Sequence, residues 1–456
     1  MPHRVLRSVL SIGIAVALTA AATAETLSPD QMRTRAVTAV AEGDNATAQA
    51  LTDALLARDP ADVTALLVRS RAQRNAGDYD AALATAKQAW RTAETDGEKY
   101  RSALLVAQAL SSQGARLRSQ FWLRRAAEIA PGEAERRRAV ADLRHVRNRT
   151  PTRVKLSFAV APTSNANGGA TSDQVELFGL PIVLSGSALA LSGTRFAFGA
   201  DIERIISVSE RSRTTLSLDL SHQTYRLSGE AKRIAPDADG SDFAQTGVGL
   251  GLVHDISAGA GAGYWSLGGV VNADWYGGHP LARSARFSLG RSWRSDGGTF
   301  FQAEIAAEYT KRLQGNDATP FSMGVSFDAA HRITGGTLRL GLFASESRAD
   351  SMSFDFTTGT VSVGYTLGRP VLTSLGGGMG LTIRAAYGLT DFDATPYQSG
   401  GRLDRVVQGS VTATFRGLDY YGFAPSVTLE GSRRSSNVDL FDTDRLGVSL
   451  GVVSTF

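Results

Sequence analysis

The sequence predicts two folds in series, α + β in separate domains: N-terminal α-helical tetratricopeptide-like repeats, then a C-terminal transmembrane antiparallel β-barrel of about 14 strands. Three observations carry this. Apolar residues recur at three- and four-residue spacing as far as Arg149, and at every second residue beyond Pro151. Glycine-bearing turn signals recur through the first part at a repeat period. No stretch beyond the N-terminal segment approaches the ~20 uninterrupted apolar residues of a membrane helix, so a membrane-embedded form has to be a barrel.

Composition narrows the chemistry. The 456 residues include no cysteine, which excludes a disulfide framework, thiolate zinc sites, iron–sulfur ligation and a cysteine nucleophile. A net charge of +4 is too small to argue for nucleic acid as a partner. Residues 1–24 contribute +2, residues 25–150 contribute +4 and residues 151–456 contribute −2.

The first element is a targeting segment. His3, Arg4 and Arg7 form a basic head, Val9 to Leu18 is a short apolar run, and Ala22-Thr23-Ala24 offers a small-residue cleavage site before Glu25. That is the layout of a secretory signal peptide at 1–24, and the mature chain is expected to be exported.

The second element, 25–150, reads as helical. Leu51, Ala54, Leu55 and Arg58 continue one stripe, and Leu104, Ala107 and Leu110 another. Gly43-Asp44, Gly77-Asp78 and Gly114 fall 34 and 37 residues apart, and Pro60 and Pro131 each lie 17 residues beyond a repeat glycine. A glycine at the inter-helix turn and a proline at the repeat end give the tetratricopeptide pattern. Ala82, Ala86 and Ala89 are the small residues expected where helices approach. The arginine-rich helix from Glu133 to Asn148 reads as a cap or link. In this register Arg71, Arg74, Asn75, Arg101 and Gln108, with Thr64, Leu67, Leu104 and Ser111, face the concave side. The arginines suit an acidic or carboxylate-bearing client segment; an ordinary solvated arginine face accounts for them equally.

The third element, 151–456, alternates. Phe301, Ala303, Ile305, Ala307 and Tyr309 interleave with Gln302, Glu304, Ala306 and Glu308; Leu216, Leu218 and Leu220 interleave with Ser217, Asp219 and Ser221. The strands are long, as bilayer-crossing strands must be. Trp265 and Trp275 bracket one strand and Tyr420 and Tyr421 open another, at positions where rings prefer the interface. Leu446, Val448, Leu450, Val452 and the terminal Phe456 end the chain in the alternation outer-membrane barrels present to their assembly machinery.

Strand starts are expected near Arg153, Gly193, Arg213, Phe243, Gly263, Arg283, Thr299, Pro320, Gly336, Met352, Gly378, Arg405, Tyr420 and Asp444. Fourteen strands put both barrel ends on one side, which is periplasmic if helices precede the first. Ser209–Ser212 and Thr334–Gly336 are the short connections of that side. The longer ones, Pro162–Ser192, Ser228–Ser241, Leu313–Thr319 and Thr390–Gly401, fall on the other.

No catalytic constellation is expected. His222 continues an outward face, His254-Asp255 sits at a strand end, and His331 precedes a Gly-Gly turn. The sequence holds no phosphate loop, no H-x-x-x-H and no calcium loop, and neither cofactor nor metal is expected. Gly376-Gly377-Gly378 reads as a bulge or flexible re-entry. The expected lumen carries both signs, Lys155, Arg286, Arg339 and Arg384 against Asp201, Glu203, Asp219, Asp274, Glu304 and Glu308. That suits a hydrated passage or an interior closed by its own ion pairs.

Signal peptide, repeats and barrel together resemble the surface lipoprotein assembly modifier family of Gram-negative bacteria, over essentially the whole mature chain. The most specific local match is Ala161-Pro162-Thr163-Ser164-Asn165-Ala166-Asn167, which looks like the family's D-S-N-I-N segment with Thr163 and Ala166 replacing the acidic and aliphatic residues. An Asn/Gly-rich loop entry is physically sufficient for the same residues. The resemblance implies an outer-membrane, non-catalytic translocator with its N-terminal domain in the periplasm. It would carry a client lipoprotein or soluble secreted protein to the cell surface or medium. Its implied partners are that client, a periplasmic chaperone, the barrel assembly machinery and the lipid bilayer. An exopolysaccharide export barrel and a surface-binding or adhesive barrel working through Pro162–Ser192 are the alternatives.

Overall fold

The structure, a computed structural model, describes residues 27–178, 180–314, 318–373, 378–418, 420–421 and 423–454. The expected signal peptide at 1–24, Gly376, Gly377 and Phe456 lie outside the described residues. The chain divides into two compact units between Ala115 and Arg116.

The first unit holds α1 (Pro29–Glu42), α2 (Asn45–Arg58), α3 (Val63–Asn75), α4 (Tyr79–Thr92) and α5 (Asp96–Ser112). Its turns repeat one piece of backbone chemistry. Gly43, Gly77 and Gly114 all take left-handed φ, at 86°, 89° and 80°, a region costly for any residue with a Cβ. Each donates its N–H into the last turn of the helix before it. The following residue reaches further back, Asp44 to Ala39 O, Asp78 to Gln73 O and Ala115 to Leu110 O, each at 2.9 Å; together these bonds form the Schellman closure. Asp44 and Asp78 then cap the next helix, accepting from Thr47 N at 3.0 Å and Ala81 N at 3.1 Å. Two residues thus end one helix and start another.

The helices pack through small side chains. Ala82, Ala86 and Ala89 are fully buried, as are Ala72, Val106 and Leu110. Ala89 and Ala93 of the α4 end lie against Val63, Leu66 and Leu67 of α3.

The second unit opens with α6 (Arg116–Glu128) and α7 (Glu133–Arg149). The sequence places the last helix at Glu133 to Asn148, and α7 ends one residue later. It runs directly into β1 (Thr152–Thr163). A two-stranded hairpin follows, β2 (Gln174–Leu177) and β3 (Leu180–Val183). Next come β4 (Gly193–Val208), β5 (Ser212–Leu227), a short α8 (Gly229–Ile234), β6 (Gln245–Ser257), β7 (Tyr264–Tyr276) and β8 (His279–Arg294). β9 (Phe300–Arg312), β10 (Phe321–Ile333), β11 (Gly336–Arg348) and β12 (Phe356–Leu367) continue the meander. β13 (Met379–Phe392), β14 (Arg402–Phe415), β15 (Phe423–Ser436) and β16 (Thr443–Ser454) complete it.

All strands except β2 and β3 form one closed antiparallel barrel of fourteen, with sequence neighbours as spatial neighbours and β16 returning to β1. Every barrel strand begins within four residues of its expected start. The offsets of four fall at β8, which starts at His279, and β12, which starts at Phe356.

Alternation sorts the side chains. Leu156 (71% exposed) and Phe287 (70%) point outward, as do Leu250, Met323, Val361 and Leu450. A belt of such residues would be costly in water and belongs against hydrocarbon; strands of 12 to 16 residues are long enough to cross it. At the end where β1 begins, Trp293 stacks on Phe301 at 5.4 Å and Phe301 meets Phe327 at 5.9 Å; Trp265 sits at the same end of β7. No helix among the described residues is long and apolar enough to cross a membrane.

The connections divide unevenly. At the end where β1 begins they run from two residues (β10 to β11) to the longer link between β12 and β13. The opposite end carries the long β1–β4 and β5–β6 connections, and also a two-residue Gly277-Gly278 turn, both glycines at positive φ. The ring seam is short. β1 pairs with β4 along its whole length, but with β16 only at Ala159, Val160 and Thr163 among the described residues.

Candidate functional sites in the repeats and the barrel

In the helical unit, Arg71, Arg74 and Asn75 lie at the C-terminal end of α3, and Arg101 and Gln108 on α5. Three of these five are directly joined. Arg74 Nη1 donates to Gln108 Oε1 at 2.9 Å and Nη2 to Asn75 Oδ1 at 3.3 Å. Burial pushes the Arg74 guanidinium below its ordinary value, and the Arg71 charge pushes the same way. Arg101 is exposed and turns back on its own helix, Nε to Gly97 O at 3.2 Å. Leu67 and Leu104, also expected on the concave side, are buried. The arginines of this face are therefore one fixed guanidinium, Arg74, with Arg71 and Arg101 exposed.

In the barrel, the loop entry after β1 is a hydrogen-bonded knot. Asn167 Nδ2 donates to Ser187 O at 2.7 Å and Leu189 O at 2.8 Å, while its Oδ1 accepts from Leu191 N at 2.9 Å. Buried Asn165 donates to Gly169 O at 2.8 Å, and Ser164 Oγ accepts from Leu446 N of β16 at 3.2 Å. These residues fold the long connection onto itself and onto the last strand. The β2–β3 hairpin it carries buries Val175 and Leu177 against Val438, Tyr397 and Phe441 of other connections.

The turn between β14 and β15 is held from α6. Arg124 lies 4.6 Å from the Phe423 ring centroid and donates to Tyr421 O at 3.3 Å. Tyr421 N donates to Glu128 Oε2 at 3.1 Å, and Tyr421 has φ 51°, a conformation that needs such support in a bulky residue.

The lumen carries the expected residues. Lys155 meets Asp201 at 3.2 Å, Arg153 meets Glu203 at 3.9 Å, and Arg286 meets Glu304 at 2.7 Å and Glu308 at 4.0 Å. Past the β1–β16 seam, Arg195 of β4 reaches Glu430 of β15 at 2.8 Å. Arg195, Asp328, Glu430 and Arg445 are lumen charges the sequence reading does not name; all four lie on inward positions of alternating strands.

Three histidines each meet a threonine. His254 meets Thr214 Oγ1 at 2.9 Å, while Asp255, on the other face of the strand, holds Arg213 at 2.7 Å and accepts from Ser266. His222 meets Thr246 Oγ1 at 2.9 Å on the outward face, and His331 meets Thr299 Oγ1 at 2.8 Å. No group of three or more His, Asp or Glu able to hold a metal ion occurs among the described residues. In β16, Leu450 pairs with Val160 of β1 and Val427 of β15, and Val452 pairs with Pro425.

No protein-family model matches the chain, and no curated protein matches it. Among solved structures it is similar to the type III secretion translocator chaperone SycD of Yersinia enterocolitica. Identity there is 20%, over 27% of this chain and 88% of that chain, at a TM-score of 0.24. A BenF-like porin from Pseudomonas fluorescens Pf-5 is 9% identical over 66% of this chain and 98% of its own, at 0.35. A bacterial polysaccharide outer membrane secretin is 8% identical over 66% and 98%, at 0.33.

Proposed function

We propose that this chain is an outer-membrane translocator that delivers a client protein from the periplasm to the cell surface or medium, after the manner of surface lipoprotein assembly modifiers. The observation that supports it is the coupling, in one chain, of helical repeats bearing an arginine face to a closed barrel with an apolar outside and a charged inside. Residues 1–24 serve export, residues 25–150 act as a periplasmic tetratricopeptide domain, and residues 151–456 form the membrane component. The end at which β1 begins is periplasmic.

In this reading Arg71, Arg74 and Arg101 recruit an acidic segment of a client lipoprotein or secreted protein, or of its chaperone. Folding of the client outside the cell supplies the direction, and no reacting group or cofactor enters. Leu450, Val452 and Phe456 act as the signal read by the barrel assembly machinery.

The test compares surface-exposed and secreted proteins of whole cells with and without this chain, by protease shaving and mass spectrometry. Loss of one or two proteins from the surface or medium, with periplasmic accumulation, is the expected result. Loss of a surface polysaccharide with unchanged proteins replaces this reading with export of sugar. No change in either removes transport.

A further inference from the structure

Two adjacent inward rows of the barrel wall build a concavity. In the first row Arg339 of β11, Gly364 of β12, Arg384 of β13, Ser410 of β14 and Glu430 of β15 lie side by side by register. In the second, Asp328, Gly341, Ser362, Ala386, Gln408, Ser432 and Arg445 follow from β10 to β16. The small residues set the wall back between the long ones, leaving a cavity of about 500 Å³ that Arg195 also lines. That is the size of a small-molecule site.

The charges around it do not cancel. Four guanidiniums line the cavity against two carboxylates, Asp328 and Glu430. Arg195 is paired with Glu430. Among the described residues Arg339 has only a 3.4 Å hydrogen bond to Thr366. Arg384 and Arg445 have no side-chain partner among the described residues. Two positive charges are left over. Gly364 matters here: a Cβ on it would lie 3.7 Å from Arg384 Cγ and 3.8 Å from Arg339 Cβ, so any larger side chain occupies the space between the two forks. Elsewhere in the lumen the balance is reversed, with Asp219 and Asp274 added to the paired acids Asp201, Glu203, Glu304 and Glu308, so the positive excess lies at this cavity.

We infer that this cavity is a binding site for a small oxyanion carrying two negative charges, held between Arg339 and Arg384 with Arg445 beside them. Guanidinium forks match carboxylate and phosphate oxygens in pairs. Ser362, Ser410 and Gln408 supply neutral hydrogen-bond groups for the remaining oxygens. The site does not depend on the identity of the client, nor on whether the chain carries one.

The test is calorimetric titration of the full chain in detergent with two probes, succinate and inorganic phosphate, at fixed chloride and ionic strength. Saturable 1:1 binding of at least one is expected, and the preferred probe distinguishes a carboxylate ligand from a phosphate. R339Q and R384Q should each weaken it by about tenfold or more, and Gly364→Leu should abolish it by filling the space. D219N, on β5 and outside the cavity lining, should leave it unchanged. Heat-modifiable migration on gels reports whether each variant has closed its barrel. Absence of saturable binding by either probe, or equal binding by closed R339Q and R384Q barrels, overturns the assignment.

Discussion

Arg74 donates a 2.9 Å hydrogen bond to Gln108, a residue 34 positions further along, so the contact joins the first helices, α3 and α5, of two successive helix pairs. It fixes the guanidinium of one repeat by the amide of the next, while Arg71 beside it stays exposed. If this face recruits an acidic client, reversing both charges should be severe. Arg71→Glu with Arg74→Glu is expected to cut client delivery severalfold while barrel abundance in the membrane is unchanged. Quantifying surface client against heat-modifiable barrel checks this, and undiminished delivery sinks the recruiting face.

Gly77 sets the turn between α3 and α4 at φ 89°. A Cβ there meets no neighbouring atom within 4 Å, so the cost of Gly77→Ala is conformational alone, about 1–2 kcal/mol. Thermal melting followed at 222 nm should show the helical transition lowered by several degrees. The heat-modifiability of the barrel should not move. A melting curve identical to wild type would mean the turn has another low-energy form.

Acid should loosen the same helices. Hydrogen bonds from the Thr47 side chain and backbone hold the Asp44 carboxyl below the usual range, and the backbone amides of Thr95 and Glu94 do the same for Glu98. Because the folded values lie below the unfolded ones, these carboxylates add stability that is whole above about pH 4.5. It is lost as the pH falls through the depressed values. Asp44→Asn with Glu98→Gln should flatten the acid side of a stability-against-pH curve, and an unaltered curve would assign the acid sensitivity elsewhere.

Asn167 makes three hydrogen bonds to the backbone of its own connection. Asn167→Ala leaves those groups without it, a local loss of about 1–3 kcal/mol. Limited proteolysis of whole cells should then cut between residues 164 and 192 faster, with barrel migration retained. If cleavage does not change, the β2–β3 hairpin alone holds the loop.

The strands were legible because alternation over more than ten residues leaves little choice of boundary, and the helix pairs because glycine marks each turn. Where reading and structure part, non-local geometry is the reason. A strand is expected from near Arg283, yet the chain turns in two residues at Gly277-Gly278 and the strand begins at His279, with a register shift at Asp274/Trp275. The β2–β3 hairpin owes its place to Tyr397, Val438 and Phe441, more than 200 residues away, and nothing local announces it. Arg339 and Arg384 were visible as lumen charges. That they share a cavity with Arg195 and Arg445 follows only from the register of the strands from β11 round the ring to β4.

The seam sets an order of events. The helical unit is knit by neighbours some thirty residues apart, such as Arg74 and Gln108, and can fold as soon as it is made. The ring is closed by partners like Ser164 and Leu446, 282 residues apart, and by three paired positions of β1 and β16. Until Thr443–Ser454 arrives, β1 keeps a free edge along its whole length, open to any other strand. Closure therefore waits on the last strand, and a partner that shields β1 until then would keep its edge from pairing elsewhere.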